Sequence, residues 1–517
     1  MGQQNSDRGA DINGRRLAHP TNSPLVSALP DKFLELYCGI KPNDLKGGDL
    51  AFFKRDYEAT KFEIENLLME RDVRKGVVNS TICEFLLRNF SFKTIKMEEN
   101  SECFMYRDGI YAKVAFTFVD SIVFDILQTA YTKYSTTQVM DKIKVQTYIN
   151  ENEFYCHDPE LIPVQNGVLN VVTRELSPFS PKLYFFSKLP VVYEPIILND
   201  EHLKFFESVI PNDEERILLQ EIFGYCLLRD YRFHKFFVFV GEGRNGKSVT
   251  LGLLNHLLGH ENVTGHSLYA LADNRFMVSE LYRRMANINS DLPEGEIKDT
   301  GIIKELTGSD PVSADRKFMS SLTFKNHAKL IFSTNNMPRF NDPSEGWKRR
   351  WLMIEFNERF LNQKEIDTLP TEDKGNTKIA NSRILESLIT EEGLSSLLNF
   401  ALDGLQALIE DDGFISTKSN EEQWARIERR SNPYLSFCRD CLVEAPLGKI
   451  TKTALKKEYI RYCKEWKLPR TCEDKKIKEV LLNLDYSVDE GQADYDVGGE
   501  RYWKGIALKP LQNKEIT

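Results

Sequence analysis

The residues Gly241-Glu242-Gly243-Arg244-Asn245-Gly246-Lys247-Ser248 fit the pattern G-x-x-x-x-G-K-[ST]. Glycines at this spacing let successive backbone N–H groups curl around phosphate oxygens. Lys247 then supplies a point charge for the β and γ phosphates, and the Ser248 hydroxyl can ligate Mg²⁺. Gly243 and Asn245 tolerate left-handed backbone, and Val249 continues into the segment that follows. The chemistry this implies is the binding of ATP with Mg²⁺. Such a loop must be held between a buried strand and a helix whose positive end faces the same anion. Lys235 to Val240 is rich in Phe and Val and reads as that strand. The Leu-rich run to Leu258 reads as the helix.

A phosphate loop needs partners from other strands. Met285 to Ile288 reads as a short strand ending near Asp291, where a carboxylate would hold the water shell of the metal together with Ser248. Glu294, three residues on, is placed to polarise an attacking water. Leu330 to Phe332 reads as a further buried strand, and Asn335 at its carboxyl end can orient that water and sense the γ-phosphate. Arg316 and Lys317 lie beside Phe318 on what reads as a hairpin. Cations with an interleaved ring suit a single-stranded nucleic-acid backbone, although the same residues also make an ordinary charged turn. Arg349 and Arg350 precede the apolar strand Trp351 to Phe356, either as a charged edge or as a finger reaching the site of an adjacent subunit.

The chain of 517 residues is 41% hydrophobic and 28% charged, which suits two to four globular domains. No apolar run approaches a membrane span and the N-terminus has no signal core, so an intracellular, cytoplasmic protein without a membrane partner is expected. Nine cysteines are unevenly spaced. Cys438 and Cys441, with Cys463 and Cys472, could be read as a zinc set, but no Gly or Pro shapes a knuckle there, and buried thiols are expected.

Residues 1–28 read as a disordered tail and 29–198 as an α+β domain. Within it Lys61–Arg74 and Val77–Asn89 look helical, and the stretch from Cys103 to Tyr193 reads as short strands broken by turns at Asp108-Gly109 and Asn166-Gly167. Residues 199–416 form the nucleotide module, closed by an amphipathic helix over Gly393–Leu408. Residues 417–432 read as a linker. From Pro433 the order is helix, extended piece, helix, helix and β-ribbon, with Leu455, Tyr459, Tyr462 and Trp466 on one helical face and Lys456, Lys457 and Lys464 away from it. Between Lys449 and Lys478 eleven Lys or Arg face four acids, although the whole chain carries −9. A winged helix binding duplex DNA is expected there, against the alternative of a solvated charged face on a packing domain.

In this order the motifs resemble the superfamily 3 helicases, specifically the helicase portion of phage and plasmid primase-helicases related to the poxvirus primase-helicase. The matching stretches are GEGRNGKS at 241–248, NINSDLPEG at 287–295, TGSDPVSADRKF at 307–318, KLIFSTNNMP at 329–338 and GWKRRWLMIEF at 346–356. YRDGIY at 106–111, PVQNGVLN at 163–170 and LPVVYEP at 189–195 are similar to the domain that precedes the helicase in that family. The resemblance implies an α/β fold of AAA+ type with a parallel sheet, assembled as a ring, usually a hexamer, with ATP between subunits and 3′ to 5′ movement on single-stranded DNA. It implies Lys247 and Ser248 as Walker A, Asp291 with Glu294 as Walker B and Asn335 as sensor 1. Arg350, with Arg349 as alternate, would be the finger, and Arg316 and Lys317 the DNA-contacting hairpin. The strand before Asp291 is less apolar than the family pattern and lacks an adjacent acidic pair, which leaves Asp291 and Glu294 as alternatives for the catalytic carboxylate. About 100 residues precede the similar region, too few for a polymerase-like primase domain, so primer synthesis is not expected.

The function expected is therefore that of a replicative DNA helicase of a mobile element or virus, with recognition of its origin through the C-terminal domain as a further expectation. A DNA-stimulated ATPase that remodels without unwinding, and a nucleotide-gated DNA-binding protein that does not hydrolyse, are the alternatives.

Overall fold

The structure is a computed structural model. It describes residues 45–46, 50–70, 75–96, 101–150, 153–195, 200–292, 295–297, 299–317, 319–340, 342, 344–369, 375, 377–415, 420–466, 468, 472–492 and 501–509. The expected tail at 1–28, Glu294 and Phe318 lie outside these residues. The chain divides into two compact units at Tyr155/Cys156, within the stretch read above as one domain.

The first unit joins the helices Leu50–Met69, Lys75–Asn89, Phe116–Leu127 and Lys133–Gln146 to a four-stranded sheet. Glu102–Arg107 and Ile110–Lys113 pair antiparallel across Asp108 and Gly109, both at positive φ, which is the backbone that an Asp-Gly turn supplies. The stretch read as strands and turns thus contains two helices as well. The first of these, Phe116–Leu127, buries six apolar residues at helical spacing.

The second unit is built on a five-stranded sheet of β1 Phe236–Val240, β2 Val263–Thr264, β3 Ala286–Asn289, β4 Lys329–Thr334 and β5 Trp351–Glu355. All neighbours are parallel and the order is β5-β1-β4-β3-β2. β1 is fully buried because it packs on both faces: Phe237 and Phe239 enter one core, and Phe236, Val238 and Val240 enter the other.

The first core is closed by helices α1 Asp213–Tyr225, α2 Lys247–Leu258 and α3 Glu391–Glu410. α1 and α3 touch backbone to backbone: a Cβ added at Gly224 would collide with Leu405 N and Ala401 O, and one added at Gly404 with Gln220 O. We expect Gly224→Ala to cost about 1–3 kcal/mol by forcing the helices apart. A denaturant melt checks this, and an unshifted midpoint would refute the close packing.

Asn420–Ser431, within the expected linker, is a helix, α4. Its sequence is polar apart from Trp424 and Ile427, which pack on the second core, so its apolar stripe is too narrow to stand out from composition. The helix Pro433–Cys441 follows, then the strand Leu442–Thr451, the helices Lys452–Glu465 and Asp474–Asn483, and the strands Asp489–Gln492 and Arg501–Leu508. Arg501–Leu508 is the middle strand of an antiparallel three-stranded sheet. LPVVYEP is irregular rather than a strand, although Leu189 N and Val191 O still bond to the backbone of residues 163–165.

Candidate nucleotide site

The loop after β1 is held from three sides. Asn245 Nδ2 donates to Phe356 O at 3.1 Å, Phe360 N donates to Arg244 O at 2.7 Å, and Gly241 N donates to Thr334 O at 3.2 Å. Arg244, Gly243 and Gly246 all take positive φ. Gly246 has no room for a side chain, because Val209 covers it, and it forms the N-cap of α2. The first backbone N–H groups of α2 therefore stand at the mouth of a cavity of about 1130 Å³, lined among others by Gly243, Asn245, Lys247, Ser248, Asp291 and Asn335.

Lys247 is buried and donates to Gly241 O and, at 3.3 Å, to Asn335 Oδ1. Burial, followed by the positive charge of Arg430, pushes its ammonium down to about 8, against the opposing pull of Asp291. Ser248 and Asp291 are exposed and both line the cavity, a hydroxyl and a carboxylate of the kinds that bind a hydrated divalent cation. Glu242 is exposed at the loop tip, and Val249 lines the cavity one residue beyond Ser248.

Asn335 is exposed just past β4. Thr334 holds it there: its Oγ1 donates to Leu292 O at 3.0 Å and to Asn336 O at 2.6 Å, and accepts from Asn336 N at 3.2 Å. Leu292 N bonds back to Ser333 O at 2.8 Å, which ties the Asp291 turn to the same strand end. The polar character of β3 also has a cause. Asn287 is buried, and its amide serves the turn after β2, accepting from His266 N at 2.8 Å and donating to His266 O at 2.8 Å.

The two arginines differ. Arg350 is tied within its own chain, donating from Nε to Thr307 Oγ1 at 3.0 Å, from Nη1 to Gly346 O and from Nη2 to Lys304 O at 3.4 Å. Arg349 is exposed, and its carbonyl accepts from Lys235 Nζ at 2.6 Å. Both precede β5, whose first residue pairs with Phe236, so they lie at the amino end of a sheet whose carboxyl end carries the cavity. Five residues of strand separate the two ends by about 13 Å.

Arg316 and Lys317 end the two-stranded hairpin of Pro311–Arg316 and Met319–Lys325. Lys456 and Lys457 are exposed on Lys452–Glu465. Cys438 and Cys463 are buried and Cys441 and Cys472 half-buried, with burial pushing the Cys438 thiol up to about 12. Among the described residues no cluster of His, Cys, Asp or Glu is arranged for a metal.

Two family descriptions match the chain: "D5 N terminal like" over residues 115–223, and a family of unknown function, DUF5906, over residues 239–350. Two viral proteins named putative helicases are similar to it. One, from Acanthamoeba polyphaga mimivirus, is 22% identical over 65% of this chain and 41% of its own length. The other, from Invertebrate iridescent virus 6, is 27% identical over 44% and 25%. The primase D5 of fowlpox virus (strain NVSL) is 25% identical over 44% of this chain and 30% of its own. The chain resembles the helicase portion of the D5-type primase-helicases. It spans less than half the length of each of these D5-type relatives. The apo structure of the NrS-1 C-terminal region aligns with 80% of this chain and 96% of its own at 12% identity, with a TM-score of 0.38. The D5-like match at 115–223 crosses the division at Tyr155/Cys156, and the second match begins inside β1.

Proposed function

We propose that this chain is the motor of an ATP-driven DNA helicase of superfamily 3 and AAA+ type, serving the replication of a virus or mobile element. The observation that carries this reading is the meeting of Lys247, Asn335 and Asp291 at one cavity across three neighbouring parallel strands. Here the loop amides and Lys247 bind the phosphates, while Ser248 and Asp291 hold Mg²⁺, which supplies charge neutralisation when bound. Asn335 orients the attacking water, and Asp291, or Glu294 beyond the described residues, acts as its carboxylate partner.

Arg349 is preferred here to Arg350 as the residue proposed to reach an adjacent subunit, because Arg350 already donates to Thr307, Gly346 and Lys304 of its own chain. The site is then completed in a ring, proposed as a hexamer. Arg316 and Lys317 contact single-stranded DNA, with movement 3′ to 5′. The domain from Pro433, proposed as a winged helix, holds duplex DNA through Lys456 and Lys457. No described helix is long and apolar enough to cross a membrane, and the proposed setting is intracellular.

Purified protein should hydrolyse ATP faster with single-stranded DNA and Mg²⁺, and should release a strand from a forked duplex with a 3′ tail. Hydrolysis without strand release would leave a remodeller, and absence of hydrolysis would refute the motor. Calorimetry offers a second check. At pH 9 the Lys247 ammonium, lowered to about 8, is mostly neutral, and a bound phosphate draws a proton back. ADP binding at pH 9 should therefore show proton uptake in buffers of different ionisation enthalpy, and less at pH 7.5. Equal uptake at both would contradict the assignment.

A further inference from the structure

The C-terminal domain carries lysines on two sides. Lys456 and Lys457 stand on α5, Lys452–Glu465, and others stand on the sheet behind it. The strands of that sheet are β6 Leu442–Thr451, β7 Asp489–Gln492 and β8 Arg501–Leu508, with β8 in the middle. Trp503 of β8 is in register with Ile450 and Glu490, and Trp503 and Ile450 are buried in one core with Leu455 and Tyr459 of α5. That row faces inward. The rows beside it, Thr451-Tyr502-Gly491 and Lys449-Lys504-Asp489, therefore face outward, on the opposite side of the sheet from α5.

Tyr502 lies across Gly491. A Cβ there would come within 2.5 Å of Tyr502 Cζ and 2.7 Å of Cε2 and Oη, so the glycine is what lets the ring settle on the strand. Lys449 Nζ stands 5.6 Å and Lys504 Nζ 5.9 Å from the ring centroid. Among the described residues neither lysine has an acidic partner, whereas Glu490 on the inner row takes Lys452 at 2.8 Å and Lys478 at 3.0 Å. Asp489, the acid in register with Lys504, accepts from Glu490 N at 2.8 Å. Just before Lys449 the strand bulges, and Leu447 there is 96% exposed. Gly448 holds the bulge against β8, since a Cβ on it would meet Ile506 O at 2.6 Å.

A ring laid on a sheet between two cations offers a π face to a base and charge to the phosphates beside it. Duplex DNA shows only base edges in its grooves, so a base reaches such a ring from an unpaired strand. An acidic peptide would use the lysines and leave the ring idle. We propose that this sheet face binds single-stranded DNA, with a base stacked on Tyr502, phosphates on Lys449 and Lys504, and Leu447 against a neighbouring base. The contact is separate from Arg316 and Lys317 in the motor and from the duplex contact on α5, and it requires no ATP hydrolysis. A domain with duplex on one side and a single strand on the other suits a junction where the two meet.

The test uses the full chain carrying Arg316→Gln and Lys317→Gln, which weakens the strand contact of the motor. Fluorescence anisotropy without nucleotide compares a labelled thymidine strand of about 20 nucleotides with a duplex of the same length. Tyr502→Ala in this background should weaken the single strand about tenfold and the duplex less than about twofold, and Tyr502→Phe should bind as its parent does. Lys449→Gln with Lys504→Gln should lower the slope of log affinity against log salt by about 1.4, the value for two phosphates of a single strand. A strand containing 5-iododeoxyuridine should crosslink to Tyr502 under ultraviolet light, as mapped by mass spectrometry. Equal loss of both ligands in Tyr502→Ala, loss of neither, or crosslinks confined to other segments would overturn the proposal. So would a polyglutamate peptide whose binding needs the two lysines when strand binding ignores Tyr502→Ala, which would mark the face as a contact for an acidic protein. If Tyr502→Ala does not fold, the lysine pair and the crosslink decide, because both leave the ring in place. A chain that crosslinks at Tyr502 but hydrolyses no ATP loses the motor reading and keeps this inference, and the reverse result loses only this inference.

Discussion

Replacing Arg349 with alanine is expected to lower ATP turnover by about 10³- to 10⁵-fold, the range measured for arginines that neutralise charge on a transferring phosphoryl group. The melting temperature should barely move, because the side chain is exposed. Arg350→Ala should behave in the opposite way. It removes donors to Thr307, Gly346 and Lys304, so stability should fall by about 1–3 kcal/mol as those acceptors lose their partners. Mixing decides whether Arg349 acts across subunits. Arg349→Ala chains keep an intact phosphate loop and Lys247→Ala chains keep an intact Arg349, so a mixture should regain turnover that neither variant shows alone. If no mixture recovers activity, a site shared between subunits is refuted.

Lys247→Ala is expected to reduce turnover by at least about 10²- to 10³-fold, the effect of removing one preorganised donor to developing charge. Its effect on folding should be the reverse of damage. The ammonium is buried with a carbonyl and an amide as partners, and burial and the charge of Arg430 disfavour its charged form, so holding it charged costs the folded chain stability. For a cation lowered to about 8 from an ordinary 10.5, the unfolded chain binds more protons between those values. Stability of the wild type therefore rises with pH across that window, and the penalty is present in full below it. Lys247→Ala should flatten this rise in melts taken from pH 7.5 to 10. A variant with wild-type turnover would remove the nucleotide reading, and an unchanged pH slope would remove the electrostatic one.

The sequence made the phosphate loop, the buried strands β1, β4 and β5 and the position of Asn335 legible, because each is a short apolar run that ends in turn chemistry. Asn287 was harder to place. An amide in a buried strand reads as a weakened strand until His266 is seen to need both its donor and its acceptor. The roles of Arg349 and Arg350 depend on Thr307 and Gly346, and no spacing along the chain states those contacts. Helix α4 reads as a linker because two large apolar side chains in twelve residues carry little periodicity, while its firm attachments are ionic: Arg426 to Glu215 at 2.9 Å and Arg430 to Glu355. Pattern reading detects buried carbon more readily than buried charge.

The strand order has a kinetic consequence. β1 pairs with β4 and β5, and partners such as Phe237 with Ile331 and Phe236 with Trp351 lie 94 and 115 residues apart. A ribosome adding about 5–20 residues per second leaves Phe236–Val240 without sheet partners for about 5–20 s. During that interval the most apolar strand of the protein has two open hydrogen-bonding edges, which is the condition under which nascent chains aggregate or recruit chaperones. The parallel order that sets Lys247 beside Asn335 thus makes late synthesis of β4 and β5 the vulnerable period in making this protein.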